Sequence, residues 1–380
     1  MIYLDNAATS WPKPPAVARA VRAALLGAAG NPGRTSHRSA MEIAGNVQEC
    51  RENLAQLFGI ANPLRVCFTA NTTDALNLAI KGVLSPGDHV ICTSMEHNSV
   101  WRPLTALQER GVELSIAEAD ERGVVHAQSV ERLLRQNTRL IVIIHASNVN
   151  GAIQPVAVVG KIARASGVSM LVDAAQSAGS LPIDVQAMGI DLLAFPGHKG
   201  LLGPQGTGGL YVREGVELNP LKQGGTGSES NSPHQPSYYP DRLESGTLNI
   251  PGIAGLNAAV CYLLKIGVAR IAQREEKLTQ RLLAGLESME GVTVYGPALG
   301  SPRAPVVSFN VRDLDPVLIA DELERRAGIA CRPGWHCAGL AHRTQGTQGS
   351  GTVRLSPGPF TKMSEVKTAL QVIEEIARGN

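Results

Sequence analysis

The clearest pattern in the chain is a series of short apolar runs that begins at Val66. The runs cover residues 66–70, 89–94, 112–119, 140–147, 169–175, 192–196 and 207–212. Residues with helical spacing separate most of these runs, at 73–82, 129–135 and 160–166. Short apolar strands that alternate with helices are typical of an α/β fold with a mostly parallel sheet. We therefore predict a seven-stranded central sheet, with ligands bound at the carboxyl ends of its strands.

The pattern changes after about residue 213. Residues 223–247 are rich in Gly, Ser and Pro, which predicts a long loop of the kind that is usually functional or mobile. Helices are then predicted at 253–266 and 271–289, strands near 293–295 and 305–311, and an amphipathic helix at the end of the chain. The predicted division is an N-terminal segment (1–15), a large domain that carries the sheet (16–257) and a smaller α+β domain (258–380).

Composition narrows the class of protein. The 380 residues carry a formal net charge of only +2, so no strong field favours nucleic acid or a membrane surface as a partner. Apolar residues make up 43%, as in globular proteins, and runs such as 140–144 are too short to cross a bilayer. The start "MIYLDNAATS" has an acid where a signal peptide has basic residues, so we expect a cytoplasmic protein without a disulfide framework.

Two candidate residues lie at the ends of consecutive predicted strands. Asp173 ends the run "SMLVD", and Lys199 follows the next run in "FPGHKG". Asp173 could be a helix N-cap, a ribose ligand or the partner of a buried cation. Strands that are consecutive in sequence are often neighbours in space, so the two residues could form an ion pair. They could equally hold opposite ends of a pyridoxal ring, with the lysine as Schiff base and the acid on the pyridinium nitrogen.

Two further features bear on that choice. The segment "TANTTDALNLAIKG" places Asn71, Thr72 and Thr73 where a strand gives way to a helix. An ordinary N-cap by Thr72 or Asn71 is one interpretation, and a phosphate site at the helix N-terminus is the other. His97 follows the strand at 89–94, although a lone histidine is more often structural or exposed. Together the four features match the parts of a phosphorylated, aromatic, lysine-bound cofactor.

Motifs along nearly the whole chain point to one family. They are "YLDNAAT" (3–9), "NPGRTSHR" (31–38), "NTTDALNLA" (71–79), "MEHNS" (95–99), "HASNVNGA" (145–152), "VDAAQSAG" (172–179), "GHKGLLGPQGTGGLY" (197–211), "ESGTLN" (244–249), "RPGWHCAG" (332–339) and "GTVRLSPG" (351–358). In this order they make the chain similar to fold-type I pyridoxal-phosphate (PLP) enzymes of the class V aminotransferase group. More narrowly, the chain resembles the cysteine desulfurases and selenocysteine lyases.

The resemblance implies roles for matching residues. Lys199 would bind the cofactor covalently, Asp173 would keep its ring nitrogen protonated, and His97 would stack on the ring and move protons. The remaining cofactor contacts would be Asn148 and Gln176 at the ring's 3′-oxygen, Thr72, Thr73 and His198 at the phosphate, and Thr247 at a phosphate in the partner subunit of a homodimer. Arg354 would clamp the substrate carboxylate, because its planar fork suits a carboxylate, with His37 and Asn148 as further substrate contacts.

Cys337 suggests the reaction. It lies beside His336 in a glycine-punctuated segment, where a nucleophilic thiolate is a better interpretation than an inert thiol. The Cys331, His336, Cys337 and His342 spacing does not match common zinc patterns, so no metal is expected. The resemblance implies that Cys337 takes sulfur from L-cysteine as a persulfide, leaving alanine, whereas L-selenocysteine could react without it. The short stretch between Cys337 and Arg354 is similar to that of desulfurases with a short cysteine loop, which often pass the persulfide to an acceptor protein.

Other functions remain open from sequence. Transamination, kynureninase-type cleavage and epimerisation would use the same cofactor residues without a loop cysteine. A non-catalytic scaffold or regulator is disfavoured because Lys199, Asp173, His97 and Arg354 are all present. A nucleotide-binding Rossmann protein is disfavoured because "GPQGTGG" precedes a strand instead of opening a helix.

The chain departs from the family at Pro196. Relatives with a well-developed phosphate site often have serine or threonine there, whereas proline offers neither a hydroxyl nor an N–H. We therefore expect the cofactor to be held less tightly than in those relatives.

Overall fold

The computed structural model describes residues 1–27 and 38–379. After a short first strand, β1 (Ile2–Tyr3), a seven-stranded sheet forms within these ranges, as predicted. Its strands are β2 (Val66–Thr69), β3 (His89–Thr93), β4 (Glu113–Ala117), β5 (Thr138–Ile144), β6 (Ser169–Asp173), β7 (Leu192–Pro196) and β8 (Gly208–Val212). The helices of this part are α1 (Pro15–Gly27), α2 (Arg38–Phe58), α3 (Thr72–Val83), α4 (Asn98–Gln108), α5 (Ala127–Glu131), α6 (Val156–Ala165) and α7 (Ile250–Ile266).

The strand order is β2-β8-β7-β6-β5-β3-β4. Only β8 runs antiparallel to its neighbours, so the predicted mostly parallel sheet is confirmed. Because β8 separates β2 from β7 and is antiparallel to both, β2 points the same way as β7. The carboxyl ends of β2, β3, β5, β6 and β7 therefore lie along one edge of the sheet.

Both faces of the sheet are covered around its centre, which explains why central strands such as β5 and β7 are largely apolar. In β5, Leu140 and Val142 pack in a core cluster with Leu76 of α3 and Leu104 of α4. Their neighbours Ile141 and Ile143 pack in a second cluster on the other face, which includes residues of α2, α6 and α7. Alternate side chains of a strand point to opposite faces, so an all-apolar strand serves both clusters.

The rest of the chain forms a smaller α+β part around a four-stranded antiparallel sheet of order β12-β13-β10-β9. Its elements are α8 (Val268–Glu287), β9 (Val292–Tyr295), β10 (Val307–Val311), α9 (Pro316–Ala327), β11 (Ile329–Ala330), β12 (Arg332–Gly334), α10 (Gly339–Thr344), β13 (Thr352–Leu355) and α11 (Met363–Ala377). The start of the chain joins this part, because β1 pairs with β11 and Leu4 lies in its core.

The predicted domain division stays a prediction. Its boundary between residues 257 and 258 falls inside the helix α7. Ile253, Leu256, Ala259 and Val260, from both sides of that boundary, pack in one core cluster of the larger part. This helix also contacts α1 and α2.

Among the described residues, no single helix is both long enough and apolar enough to cross a bilayer. The one pair of consecutive helices there that reaches this length and apolarity together is α7 with α8, and the two are bent by 82° relative to each other.

Candidate active site

A cavity of about 90 Å³ opens at the edge of the sheet where the parallel strands end. His97, Asn148, Asp173, Gln176 and Lys199 line it from the segments that follow β3, β5, β6 and β7. Thr72, Thr73 and His198 line it as well, around the N-terminus of α3. The structure thus brings eight of the predicted site residues to one cavity. This happens because parallel strands deliver the residues that follow them to the same edge.

Lys199 and Asp173 both line this cavity, and burial shifts the pKa of each. Asp173 is the last residue of β6 and is 1% exposed, and its Oδ1 accepts a hydrogen bond from the Ala175 N–H at 2.9 Å. Burial raises the pKa of Asp173 to about 6, against the opposing effects of that N–H and of Lys199. Burial also lowers the pKa of Lys199 to about 8, helped by the nearby Arg354 guanidinium. At neutral pH an appreciable fraction of Lys199 is therefore a neutral, nucleophilic amine.

His97 is held as a neutral ring. It is the N-cap residue of α4, and its Nδ1 accepts a hydrogen bond from the Ser99 N–H at 3.0 Å. Burial, reinforced by the positive charge of Lys199, lowers the pKa of His97 to about 4. Since Nδ1 is an acceptor, the proton of the neutral ring is on Nε2. A neutral imidazole with one fixed tautomer can stack on an aromatic ligand and hold a single proton at Nε2.

The N-terminus of α3 has the character of an anion site. Of the two capping candidates, Asn71 is the N-cap residue, and its Oδ1 accepts a hydrogen bond from the Asp74 N–H at 3.0 Å. The Thr72 hydroxyl is buried without a hydrogen-bond partner among the described residues, and the Thr73 hydroxyl lies 2.7 Å from Ser99 Oγ. The first N–H groups of a helix have no acceptor within the helix, so hydroxyls and N–H donors converge here.

His198 lies beside this anion site. Its Nδ1 is 3.1 Å from the Thr9 hydroxyl, and its carbonyl oxygen accepts a hydrogen bond from Lys13 Nζ at 2.7 Å. Burial and the charge of Lys199 lower the pKa of His198 to about 4. Pro196, two residues earlier, is the buried last residue of β7 and pairs with Gly208 of β8.

Asn148 joins the cavity to Arg354. The Arg354 side chain is completely buried, donating one hydrogen bond to the Asn148 carbonyl at 3.0 Å and one to Asp5 Oδ1 at 2.8 Å. Its Nε has no partner within the described ranges. Arg354 is therefore not part of a surface ion pair. It is a buried cation held in place from the N-terminal segment, and its Nε–H is still available as a donor.

Cys337 lies outside the cavity lining but is attached to it through its backbone. The Asn98 N–H donates to the Cys337 carbonyl at 2.8 Å, and Asn148 Nδ2 donates to the His336 carbonyl at 2.7 Å. The Cys337 side chain is exposed, and its Sγ lies 3.5 Å from an Arg332 guanidinium nitrogen. The glycine-punctuated segment that begins near Cys337 contains the short helix α10.

Thr247 is a further predicted residue that does not line the cavity. Thr247 is exposed and lines a separate cavity of about 210 Å³ that also includes Asp74 and Lys222. His37 lies outside the described residues, so its predicted contact with substrate remains a sequence-based expectation. Gln176 lines the cavity, but its Nε2 donates to the Ala7 carbonyl at 3.1 Å and thus also anchors the N-terminal segment.

Sequence reasoning missed several residues that shape the site. Asp5 as the partner of Arg354 and Arg332 as the partner of Cys337 are the most important, and both lie within quoted motifs. The carboxyl groups of Glu96 and Glu275 were missed as well; both are buried, and burial raises the pKa of each to about 8. Glu96 directly precedes His97, and Glu275 lines a small cavity with Lys199. In the sequence, only the position of Glu96 next to the candidate residue His97 could have indicated that Glu96 belongs to the site.

The raised pKa of Glu275 predicts a pH effect on stability. Between about pH 4.5 and 8 the folded protein keeps this proton while the unfolded chain loses it, so stability falls as pH rises through that window. Glu275→Gln should remove this loss. Relative to wild type, we expect the variant to gain about 2 kcal/mol between pH 6 and pH 8, because the slope is about 1.4 kcal/mol per pH unit below the folded-state pKa and half of that at pH 8.

Denaturant unfolding of the cofactor-loaded protein at both pH values measures this difference. Glu276→Gln, at the exposed next position of α8, is the matched control and should leave the pH dependence unchanged. An equal gain in the two variants would contradict the assignment of a buried, protonated Glu275.

Comparison with known proteins identifies the family of this chain. Residues 2–368 match the family model described as aminotransferase class-V, and the chain belongs to that family. It is 38% identical to a probable cysteine desulfurase of Methanothermobacter thermautotrophicus, over 99% of this chain and 94% of the relative. It is 32% identical to the cysteine desulfurase IscS of Serratia proteamaculans, over 98% and 92% of the two chains.

The solved structures give the same result. The apo structure of a cysteine desulfurase from Thermococcus onnurineus superimposes with a TM-score of 0.93 and 36% sequence identity, covering 100% of this chain and 95% of that one. The predicted fold class, a fold-type I PLP-dependent transferase, is thereby confirmed, as is the predicted family.

Proposed function

We propose that this protein is a PLP-dependent cysteine desulfurase, which converts L-cysteine to L-alanine and leaves a persulfide on Cys337. The observation that carries the proposal is the position of Cys337. Its thiol is exposed and lies beside a guanidinium group. Its own carbonyl accepts a hydrogen bond from Asn98, and the carbonyl of the preceding His336 accepts one from Asn148, which lines the cavity that contains Lys199 and Asp173. Transamination does not need such a thiol.

The residues present fit PLP. A lysine with a lowered pKa, a buried carboxylate and a helix N-terminus face one cavity, as a phosphorylated, protonated ring held by a lysine requires. Two buried oxygen atoms there, Asn148 Oδ1 and Thr72 Oγ1, have no partner in the described part of the chain. Asn148 and Gln176 would meet the ring oxygen, and Thr72, Thr73 and His198 the phosphate. When bound, the ring would act as the electron sink for a carbanion at the substrate Cα.

The chain's own side chains would supply binding and proton transfer. Arg354 would bind the substrate carboxylate, since its buried guanidinium is already oriented by Asp5 and retains a donor. The Lys199 amine, once free, would take the proton from the substrate Cα, and a pKa near neutrality suits a general base. His97 holds its proton at Nε2, on the side of the ring away from Ser99, and can pass it to the substrate.

Cys337 would complete the reaction as a nucleophile. Its thiolate attacks the substrate sulfur, so an S–S bond forms as the substrate's Cβ–S bond breaks and the electron pair stays with the carbon fragment. Protonation of that fragment yields alanine. Arg332 supports the attack, because a guanidinium N–H at 3.5 Å from Sγ stabilises negative charge on sulfur. An acceptor protein or thiol would then remove the persulfide.

The proposal includes a cytoplasmic homodimer in which Thr247 contacts the partner's cofactor phosphate. The support for it is that Thr247 lies on a separate, exposed cavity and not on the one that contains Lys199. In a homodimer, Thr247 would contact the cofactor of the second copy, although it does not line the cavity that contains Lys199 in its own chain.

A side-by-side assay tests the proposed function. The protein is incubated with L-cysteine, with L-selenocysteine, and with L-cysteine plus a keto acid, and alanine and new amino acids are quantified. We expect alanine from both substrates and no amino-group transfer to the keto acid. Alanine from L-selenocysteine alone would favour a selenocysteine lyase, and amination of the keto acid would favour a transaminase.

Pro196 provides a test of the phosphate contacts. A serine at the end of β7 would add a hydroxyl and an N–H near His198, so Pro196→Ser should tighten cofactor binding about tenfold, the effect of one hydrogen bond to a charged group (about 1.5 kcal/mol). Equilibrium titration of the cofactor-free protein measures this affinity. An unchanged dissociation constant would contradict the idea that a phosphate donor is missing at Pro196.

A further inference from the structure

The reactive cysteine has an unusual backbone. His336 and Cys337 are consecutive residues with left-handed conformations, at φ 49° and φ 57°. Non-glycine side chains disfavour this region, because Cβ approaches the following carbonyl oxygen. Two such residues in succession persist only where surrounding contacts hold them, and strained backbones of this kind concentrate at functional sites. Some interaction must therefore fix this turn.

The His336 side chain supplies such an interaction. It is 2% exposed, its Nε2 lies 3.0 Å from the Arg332 carbonyl, and its ring stacks on His342 with centroids 5.5 Å apart. Burial and the charge of Arg354 lower the pKa of His336 to about 2, so the ring is neutral. Since a carbonyl can only accept, Nε2 carries the proton and donates a hydrogen bond to the Arg332 carbonyl. The side chain thus closes the turn from Arg332 to Cys337.

The same residue is tied to the cofactor cavity through its backbone. The His336 carbonyl accepts from Asn148 Nδ2 at 2.7 Å, and the Asn148 carbonyl accepts from Arg354 at 3.0 Å. Ala338, the residue after the cysteine, is buried in a small cluster with Met95 and Ile144 beside the site. His336 therefore has contacts on both sides, to the turn that holds Cys337 and to the wall of the cavity.

We infer that His336 is a positioning residue, which fixes the left-handed turn at Cys337 and holds its sulfur in register with the cofactor cavity through Asn148. This inference rests on the proposed function for its catalytic consequence. Without the His336 side chain, the turn can relax toward ordinary backbone conformations and the Cys337 sulfur moves away from the substrate. Removal of the substrate Cα proton does not involve Cys337, so that step should be unaffected.

Three substitutions separate the possible roles of His336. His336→Ala removes the ring and keeps the backbone strain. His336→Gly also removes the ring, but glycine adopts a positive φ without cost, so it relieves the strain. His336→Gln keeps a side-chain N–H that can reach the Arg332 carbonyl. A positioning role predicts that Gly recovers thermal stability relative to Ala without recovering sulfur transfer, and that Gln recovers sulfur transfer.

The primary measurement compares two reactions of the cofactor-loaded protein. We expect alanine formation from L-cysteine to fall about 100-fold in the Ala and Gly variants, the loss typical of a reacting atom displaced by about 1 Å. Exchange of the L-alanine Cα proton with solvent deuterium should stay at the wild-type rate. Wild-type sulfur transfer by the Gly variant, or loss of proton exchange in the Ala and Gly variants, would overturn the inference.

A second measurement needs no substrate and so remains decisive if the proposed function is wrong. Alkylation of Cys337 by iodoacetamide is followed by mass spectrometry, with the exposed Cys261 in the same sample as internal reference. The rate at Cys337 should differ from wild type in the Ala and Gly variants and match it in Gln. An unchanged rate in all three overturns the positioning role. If the wild-type protein forms no alanine but the alkylation rate of Cys337 still changes in the Ala and Gly variants, only the proposed function is refuted.

Discussion

Lys199→Ala should abolish the borohydride-reducible covalent attachment of PLP and lower turnover of L-cysteine by about 10⁴-fold, the upper end of what a positioned general base contributes. The reason is that burial gives Lys199 a pKa of about 8 at the end of β7, where its amine shares a cavity with Asp173. Reduction with borohydride, followed by peptide mass spectrometry, measures the attachment.

Lys13 is the discriminating control. It is the other lysine near the site, its pKa is likewise lowered to about 8 by burial, and its Nζ is bound to the His198 carbonyl and the Ser10 hydroxyl. Lys13→Ala should keep the reducible adduct on Lys199. An adduct trapped on Lys13, or on any lysine of the Lys199→Ala variant, would show that the cofactor lysine has been assigned wrongly.

Cys337→Ala should reduce alanine formation from L-cysteine by about 10³-fold or more, because losing a nucleophile can cost an enzyme up to about 10⁶-fold. Cleavage of L-selenocysteine should persist, since the weaker C–Se bond can break without attack by a thiolate. The assay is alanine release from each substrate under the same conditions, so the ratio of the two rates is the quantity of interest.

Two other cysteines serve as controls for that variant. Cys261 is exposed on α7, and Cys331 is half-buried, with burial raising the pKa of its thiol to about 12. Neither should affect alanine release when replaced by alanine. Alanine release from L-cysteine at the wild-type rate by Cys337→Ala would remove the basis for the persulfide step.

The sequence predicted the elements of the larger sheet well, because most of its strands are short, largely apolar runs bounded by polar or glycine-rich residues. The run at 192–196 coincides with β7, and the helix predicted at 73–82 differs from α3 by a single residue at each end. The convergence of Asp173, Lys199 and His97 also followed, since parallel strands place their following residues at one edge.

The contacts that complete the site could not be predicted in the same way. Arg354 and Asp5 are separated by 349 positions, and no local periodicity links them. The left-handed turn at His336 and Cys337 contains no glycine, so the usual signal for a positive φ is missing. Such features depend on the packing of the smaller part against the sheet edge, which a pattern of apolar and polar residues does not encode.

The most direct test of the proposed reaction is the chemical state of Cys337 after a single turnover. The cofactor-loaded protein is mixed with a stoichiometric amount of L-cysteine labelled with a sulfur isotope, digested without reductant and analysed by mass spectrometry. The proposed reaction predicts that the peptide containing Cys337 gains the mass of one labelled sulfur atom, in proportion to the alanine released. Alanine released in that turnover without label on Cys337 would contradict it.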